Sequence, residues 1–120
     1  MPPTKVVIFC EADGSAPLLD WLDGLPAKAQ DKCIVRIERL KALGYELRRP
    51  EADTLRDGIH ELRARIGTVN YRMLYFFHGQ TAVVSHGLTK ESGVPSREID
   101  LAVERKALFQ ADPERHTLKE

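Results

Sequence analysis

Residues 59–89 read IHELRARIGTVNYRMLYFFHGQTAVVSHGLT, and this stretch decides the fold. Three runs of β-branched, aromatic and aliphatic residues, 59–66, 70–78 and 82–89, are separated by short links around Gly67 and Gly79. Links that short force hairpins, so the three runs form an antiparallel meander. In the first run a period of two sends Leu62, Ala64 and Ile66 to one face and Glu61, Arg63 and Arg65 to the other. The two guanidiniums then stand about 7 Å apart, the rise of two strand residues. A solvated outer face is the plain alternative. Arg72 lies inside YRMLYFF, where an unpaired guanidinium is expensive, so it must be paired or face a cleft. One residue of hairpin register decides whether Arg72 shares the face of Arg63 and Arg65, and the sequence leaves both registers open. In the third run His86, Leu88 and Lys90 alternate onto one face, which aims an imidazole and an ammonium at one concavity. A hydrogen-bonded structural histidine is the plain alternative there, and His60, His78 and His116 are read as structural outright.

Upstream, residues 5–11 (KVVIFCE) form a short strand ended by the turn Asp13-Gly14. Ser15 is a candidate N-cap for a short helix carrying Leu18, Leu19, Leu22 and Leu25. Pro26 opens a second helix whose stripe is Ala29, Cys33, Ile37 and Leu40, with Ile34 and Leu43 beside it, up to a stop at Gly44. The short link between them predicts a helical hairpin. Residues 45–57 are charged, contain Pro50 and read as a loop. Gly93 and Pro95 end the meander, and residues 97–110 read as a helix with Ile99, Ala102, Val103 and Phe109 inward. Residues 112–120 are expected to fray. The fold class is therefore α+β: an N-terminal strand, a helical hairpin on one sheet face, a three-strand antiparallel meander and a C-terminal helix. A strand that reaches the sheet through two helices is placed to pair in parallel with one meander strand.

The 120 residues, 42% of them hydrophobic, suit one domain over 1–120 that folds without disulfides or a structural metal. Cys10 and Cys33 sit in apolar surroundings without CxxC spacing and read as buried thiols. No apolar run nears the roughly 18 residues of a membrane span, and residues 1–12 lack a secretory core, so a cytoplasmic location without membrane contact is expected. Eighteen Lys and Arg balance eighteen Asp and Glu. The balance is uneven: residues 55–90 hold Arg56, Arg63, Arg65, Arg72 and Lys90 against Asp57 and Glu61 alone.

No phosphate loop, HExxH, nucleophile elbow or paired-carboxylate spacing competes for the chemistry. A sheet face with fixed cations suits binding a phosphodiester and stabilising a more highly charged transition state. The stretch from Leu55 to Ala102, with LRDGIHELRAR, YRMLYFF and HGLTK followed by VPSREIDLA, resembles the core of the phage-derived, HigB-like toxins of the RelE/ParE superfamily. The upstream WLDGLP is similar to that family too, and Glu91 stands where the family pattern has a second lysine. The resemblance implies a RelE-like fold and the toxin of a type II toxin-antitoxin system. It further implies a ribosome-dependent endoribonuclease that cleaves mRNA by attack of the ribose 2′-OH, without metal or other cofactor. By that resemblance Arg72, Arg65 and His86 are the catalytic candidates, and Arg63 and Lys90 the RNA-binding ones. The implied partners are a helix-turn-helix antitoxin, the ribosome and mRNA. Two alternatives stand beside it: a ParE-like inhibitor of DNA gyrase without catalytic residues, and an inactive toxin that keeps antitoxin binding.

Overall fold

A computed structural model describes residues 3–90 and 92–119. In chain order the elements are β1 (Lys5–Ile8), α1 (Pro17–Asp23), α2 (Ala27–Leu43), a 3-10 turn (Gly44–Glu46), β2 (Ala52–Thr54), β3 (His60–Ile66), β4 (Val69–His78), β5 (Thr81–Thr89) and α3 (Ser96–Ala111). The architecture is α+β, with one mixed sheet in the order β1-β5-β4-β3-β2. The meander β3-β4-β5 is antiparallel, and β1 joins β5 in parallel. That parallel pairing follows from the helical hairpin: the chain leaves one end of β1 and must cross the sheet before it pairs again.

The helices pack on both faces. α1 and α2 lie on one, where Leu18, Leu22, Ala29, Cys33 and Leu40 meet Leu62, Ala64, Met73, Tyr75 and Val84. α3 covers the other, setting Ile99, Ala102 and Phe109 against Leu74, Phe76, Val83 and Leu88. Two-sided cover explains why β4 is nearly apolar throughout instead of alternating. Trp21 of α1 lies so close over β5 that a Cβ at Gly87 would stand 2.1 Å from its ring, so the backbone there must be bare. WLDGLP and HGLTK are thereby two halves of one contact. Cys10 and Cys33 are both free and buried, and burial pushes the Cys33 thiol up to about 11.

Three expectations need correction. Residues 45–57 are not all loop, since they hold the 3-10 turn and the edge strand β2. Charged residues and Pro50 disguise a three-residue strand whose stability comes from its ladder to β3, with Ala52 opposite Leu62 and Thr54 opposite His60. Residues 112–119 are not frayed. Thr117 bridges Phe9, Leu118 N–H donates to Ile8 O (2.9 Å) and Cys10 N–H to His116 O (2.9 Å). The His116 ring, 6% exposed, stacks on Phe9 with centroids 5.0 Å apart. A polar-looking tail is held because it satisfies the edge of the first strand just beyond β1 and caps a buried ring. Finally, Ile34 is 49% exposed and does not join the stripe of α2.

Candidate functional site: a cationic sheet face

The register of β3 and β4 pairs Arg63 directly with Arg72, Arg65 with Asn70 and Glu61 with Leu74. Arg72 therefore shares the face of Arg63 and Arg65, which settles the register the sequence left open. On β5, Leu88 lies opposite Arg72 and His86 opposite Leu74. Beyond the strand end, Lys90 N–H donates to Asn70 O at 3.2 Å, extending the row of Arg65 and Asn70 across a third strand.

Two guanidiniums opposite each other on neighbouring strands repel. Glu61 resolves this. Its side chain is 2% exposed, and its Oε1 accepts from Arg63 Nε and Arg72 Nη1, each at 2.5 Å. Asp53 on β2 receives Arg63 Nη2 at 3.1 Å through Oδ2, the oxygen that also holds Arg49 at 2.8 Å. The hydrogen bond from Arg49 keeps the Asp53 carboxyl below its ordinary range. The side chain of Arg72 is 11% exposed and that of Arg63 35%, so one arginine is nearly enclosed and the other opens to solvent. The Nε of Arg72 is buried and has no hydrogen-bond partner among the described residues. A buried donor left orphaned is a cost that a fold stabilised only for its own sake would avoid.

The upper half of β3 runs past the end of β2, so its outer carbonyls need other donors. α2 supplies them: Arg36 Nε donates to Arg63 O (2.8 Å) and Lys32 Nζ to Arg65 O (2.5 Å). The result is an open cleft of about 250 Å³ lined by Lys32, Arg36, Pro50, Arg63, Arg65 and Asn70, with four cations and no carboxylate among its lining residues. Glu51 lies behind it, paired with Arg39 at 2.9 Å and Arg36 at 3.5 Å, and the hydrogen bond from Arg39 lowers its carboxyl. Lys32, Arg36 and the bridging Glu61 escaped the sequence reading. The spacing of four between Lys32 and Arg36 was the available signal, since it places both on one helix face.

The structure thus brings Arg63, Arg65 and Arg72 onto one face, with Lys90 at its rim. Glu91 lies outside the described residues. His86 is on the same sheet face but under α3, 6% exposed, with Nδ1 2.7 Å from Ser85 Oγ and Nε2 3.2 Å from Glu98 Oε1. Burial pushes its pKa down, with Arg105 adding to the effect and Glu98 opposing it. Ser85, His86 and Glu98 are the residue types of an acyl-transfer triad. Ser85 is fully buried, however, and its hydroxyl also accepts from Arg105 at 3.4 Å, so no substrate reaches it. These residues clamp α3 to the sheet.

No curated protein matches the chain. Residues 20–107, nearly three quarters of the chain, match the family of phage-derived Gp49-like proteins (DUF891). That span runs from α1 into α3 and holds the whole cationic face. The chain therefore belongs to the phage-derived Gp49-like proteins (DUF891), a family of RelE-like toxins.

Proposed function

We propose that this chain is a HigB-like, RelE-type endoribonuclease that cuts mRNA on the ribosome and is neutralised by a helix-turn-helix antitoxin. The observation that carries the reading is the pairing of Arg63 with Arg72 across β3 and β4, held by one buried carboxylate. A protein-binding poison of the gyrase-inhibiting kind has no use for guanidiniums fixed on a sheet face. In the reaction the ribose 2′-OH attacks the adjacent phosphorus. The P–O2′ bond forms as the 2′-hydroxyl gives up its proton to solvent, the P–O5′ bond breaks as solvent returns a proton to the leaving O5′, and the products are a 2′,3′-cyclic phosphate and a 5′-hydroxyl. The phosphorane carries an extra negative charge on its equatorial oxygens, and a guanidinium already in place stabilises it without reorganisation. Arg72 and Arg65 serve that charge, while Arg63 and Lys90 hold the flanking backbone. Lys32 and Arg36 widen the cationic track beside them. Both ring nitrogens of His86 are engaged within the protein, so its role in this reading is to hold α3 and not to shuttle a proton.

Induction in a bacterial host followed by mapping of transcript 5′ ends tests the proposal. New ends inside translated codons, absent when ribosomes are stalled off the message, are the expected result. Intact mRNA together with a DNA-damage response favours gyrase inhibition, and wild-type growth on full induction favours a toxin that retains only antitoxin binding.

A further inference from the structure

On the opposite sheet face, where the 3-10 turn meets the lower end of β3 and β4, lies a second cavity of about 470 Å³. This is within the roughly 300–1,000 Å³ of small-ligand pockets. Its walls are aromatic. Tyr45 stacks on Phe77 with centroids 3.7 Å apart, and His60 stacks on Tyr75 at 5.1 Å while meeting Phe77 edge-on at 5.5 Å. Tyr45 is 50% exposed although its hydroxyl donates to Gly79 O at 2.8 Å, so the ring is fixed in place without being buried. Burial pushes the pKa of the His60 ring down, and its Nδ1 lies 3.2 Å from Thr54 Oγ1. That pair offers a donor and an acceptor at the wall.

The rim is basic. Arg48 and Arg49 both line the cavity. Arg48 is tied to the carbonyls of Tyr45 and Leu47, which accept hydrogen bonds but carry no charge, and no carboxylate among the described residues pairs with it. The carboxylate at the rim, Asp53, is already shared between Arg49 and Arg63. Flat π faces inside and the Arg48 guanidinium at the mouth select a ring joined to an anion, and a plain aromatic side chain would leave Arg48 unused. β2 is an edge strand of three residues that lines this cavity and also reaches the cationic face, where its Asp53 pairs with Arg63. Arg49, Asp53 and Arg63 form an unbroken ion-paired path around that edge.

We infer that this cavity is a nucleobase subsite. It takes one unstacked base of single-stranded RNA whose backbone passes Arg48 and Arg49 and continues around β2 to the Arg63–Arg72 face. Aromatic walls with a neutral donor and acceptor are how single-stranded RNA bases are held when splayed from their neighbours. The inference rests on reading the cationic face as an RNA site, but its test is independent of cleavage.

The probes are AMP, GMP, CMP and UMP, with inorganic phosphate and phenylacetate as comparisons. Each is titrated into the full chain while the ring resonances of Tyr45, His60 and Phe77 are followed by NMR. Saturable shifts with at least one nucleotide, stronger than with phosphate or phenylacetate, are expected. Tyr45→Ala should weaken that binding roughly tenfold or more, and Tyr45→Trp should restore it. Tyr45→Ala gives up the bond to Gly79 O and the stack on Phe77, so binding by both variants is read at a temperature where circular dichroism shows each of them folded. Equal shifts with phosphate alone overturn the base assignment, as does phenylacetate binding as tightly as any nucleotide, which would mark a pocket for a protein side chain. Nucleotide binding in a protein that cuts no mRNA retains the subsite and removes the cleavage proposal. Cleavage by a protein whose ring resonances ignore every nucleotide does the reverse.

Discussion

Replacing Glu61 with glutamine should harm the fold more than deleting either arginine it holds. The Glu61 Oε1 atom accepts from two guanidiniums at 2.5 Å in a site where the carboxylate is 2% exposed. Glutamine keeps the volume and removes the charge. Its amide oxygen can still accept, but each bond falls from the charge-assisted worth of about 1.5–3 kcal/mol to the neutral one of about 0.5–1.5 kcal/mol. Arg72, 11% exposed, is then left as an uncompensated buried cation, a situation that costs about 3–5 kcal/mol. Arg72→Ala is milder, because Glu61 keeps Arg63 and only one of the two bonds goes, about 1.5–3 kcal/mol. Against a total of about 5–15 kcal/mol for a domain, Glu61→Gln removes a large fraction of stability and Arg72→Ala a modest one. Urea unfolding followed by circular dichroism measures both. The double variant Glu61→Gln/Arg72→Met removes the stranded cation and should be more stable than Glu61→Gln alone. Equal stability of Glu61→Gln and Arg72→Ala, or a double variant no more stable than the first single one, would refute the bridging role.

Two further outcomes follow from local geometry. Gly87→Ala forces a Cβ to within 2.1 Å of the Trp21 ring, so overpacking of about 1–3 kcal/mol should lower the thermal midpoint, and Trp21→Leu in the same chain should recover part of it. An unchanged midpoint would mean that α1 does not sit where described. Stability should also fall as pH drops from about 7.5 to 5.5. Burial lowers the pKa of both His86 and His60 below the ordinary value. The unfolded chain then binds more protons than the native one across the window beneath about 6.5, so the stability present above that pH is lost as pH falls toward the native values. Arg105 adds to the effect at His86 and Glu98 opposes it. The slope of midpoint against pH should flatten in His86→Asn, and a native protein more stable at 5.5 than at 7.5 would contradict the assignment.

Much of this was legible beforehand, for physical reasons that differ by element. The meander shows itself because Gly67 and Gly79 leave links too short for anything but hairpins, and α2 because Ala29, Cys33 and Leu40 recur at helical spacing. β2 stayed hidden because three residues carry no periodicity, and its pairing with β3, which begins six residues further on, is carried by the backbone ladder and not by a side-chain pattern. The docked tail stayed hidden because His116 and Thr117 look polar, and only the edge beside β1 gives them partners. At the site, strand alternation was enough to place Arg63 and Arg65 together. The face of Arg72 depended on one residue of register, which no local signal carries. Glu61 was visible as a neighbour of Arg63 on its face, yet it becomes enclosed only with Arg72 brought beside it, on the face that α3 packs over, a long-range fact. The same cover encloses His86.

The measurement that bears most directly on the central claim is single-turnover cleavage of a defined mRNA on programmed ribosomes by Arg72→Ala and Arg65→Ala, each first shown to be folded at the assay temperature. If these guanidiniums stabilise the phosphorane, Arg72→Ala should lower the cleavage rate by roughly 10²–10³ while binding to the programmed ribosome changes far less. Arg65→Ala, at the more exposed position, should slow the reaction by a smaller factor. A folded Arg72→Ala protein that cuts at the wild-type rate would contradict the account.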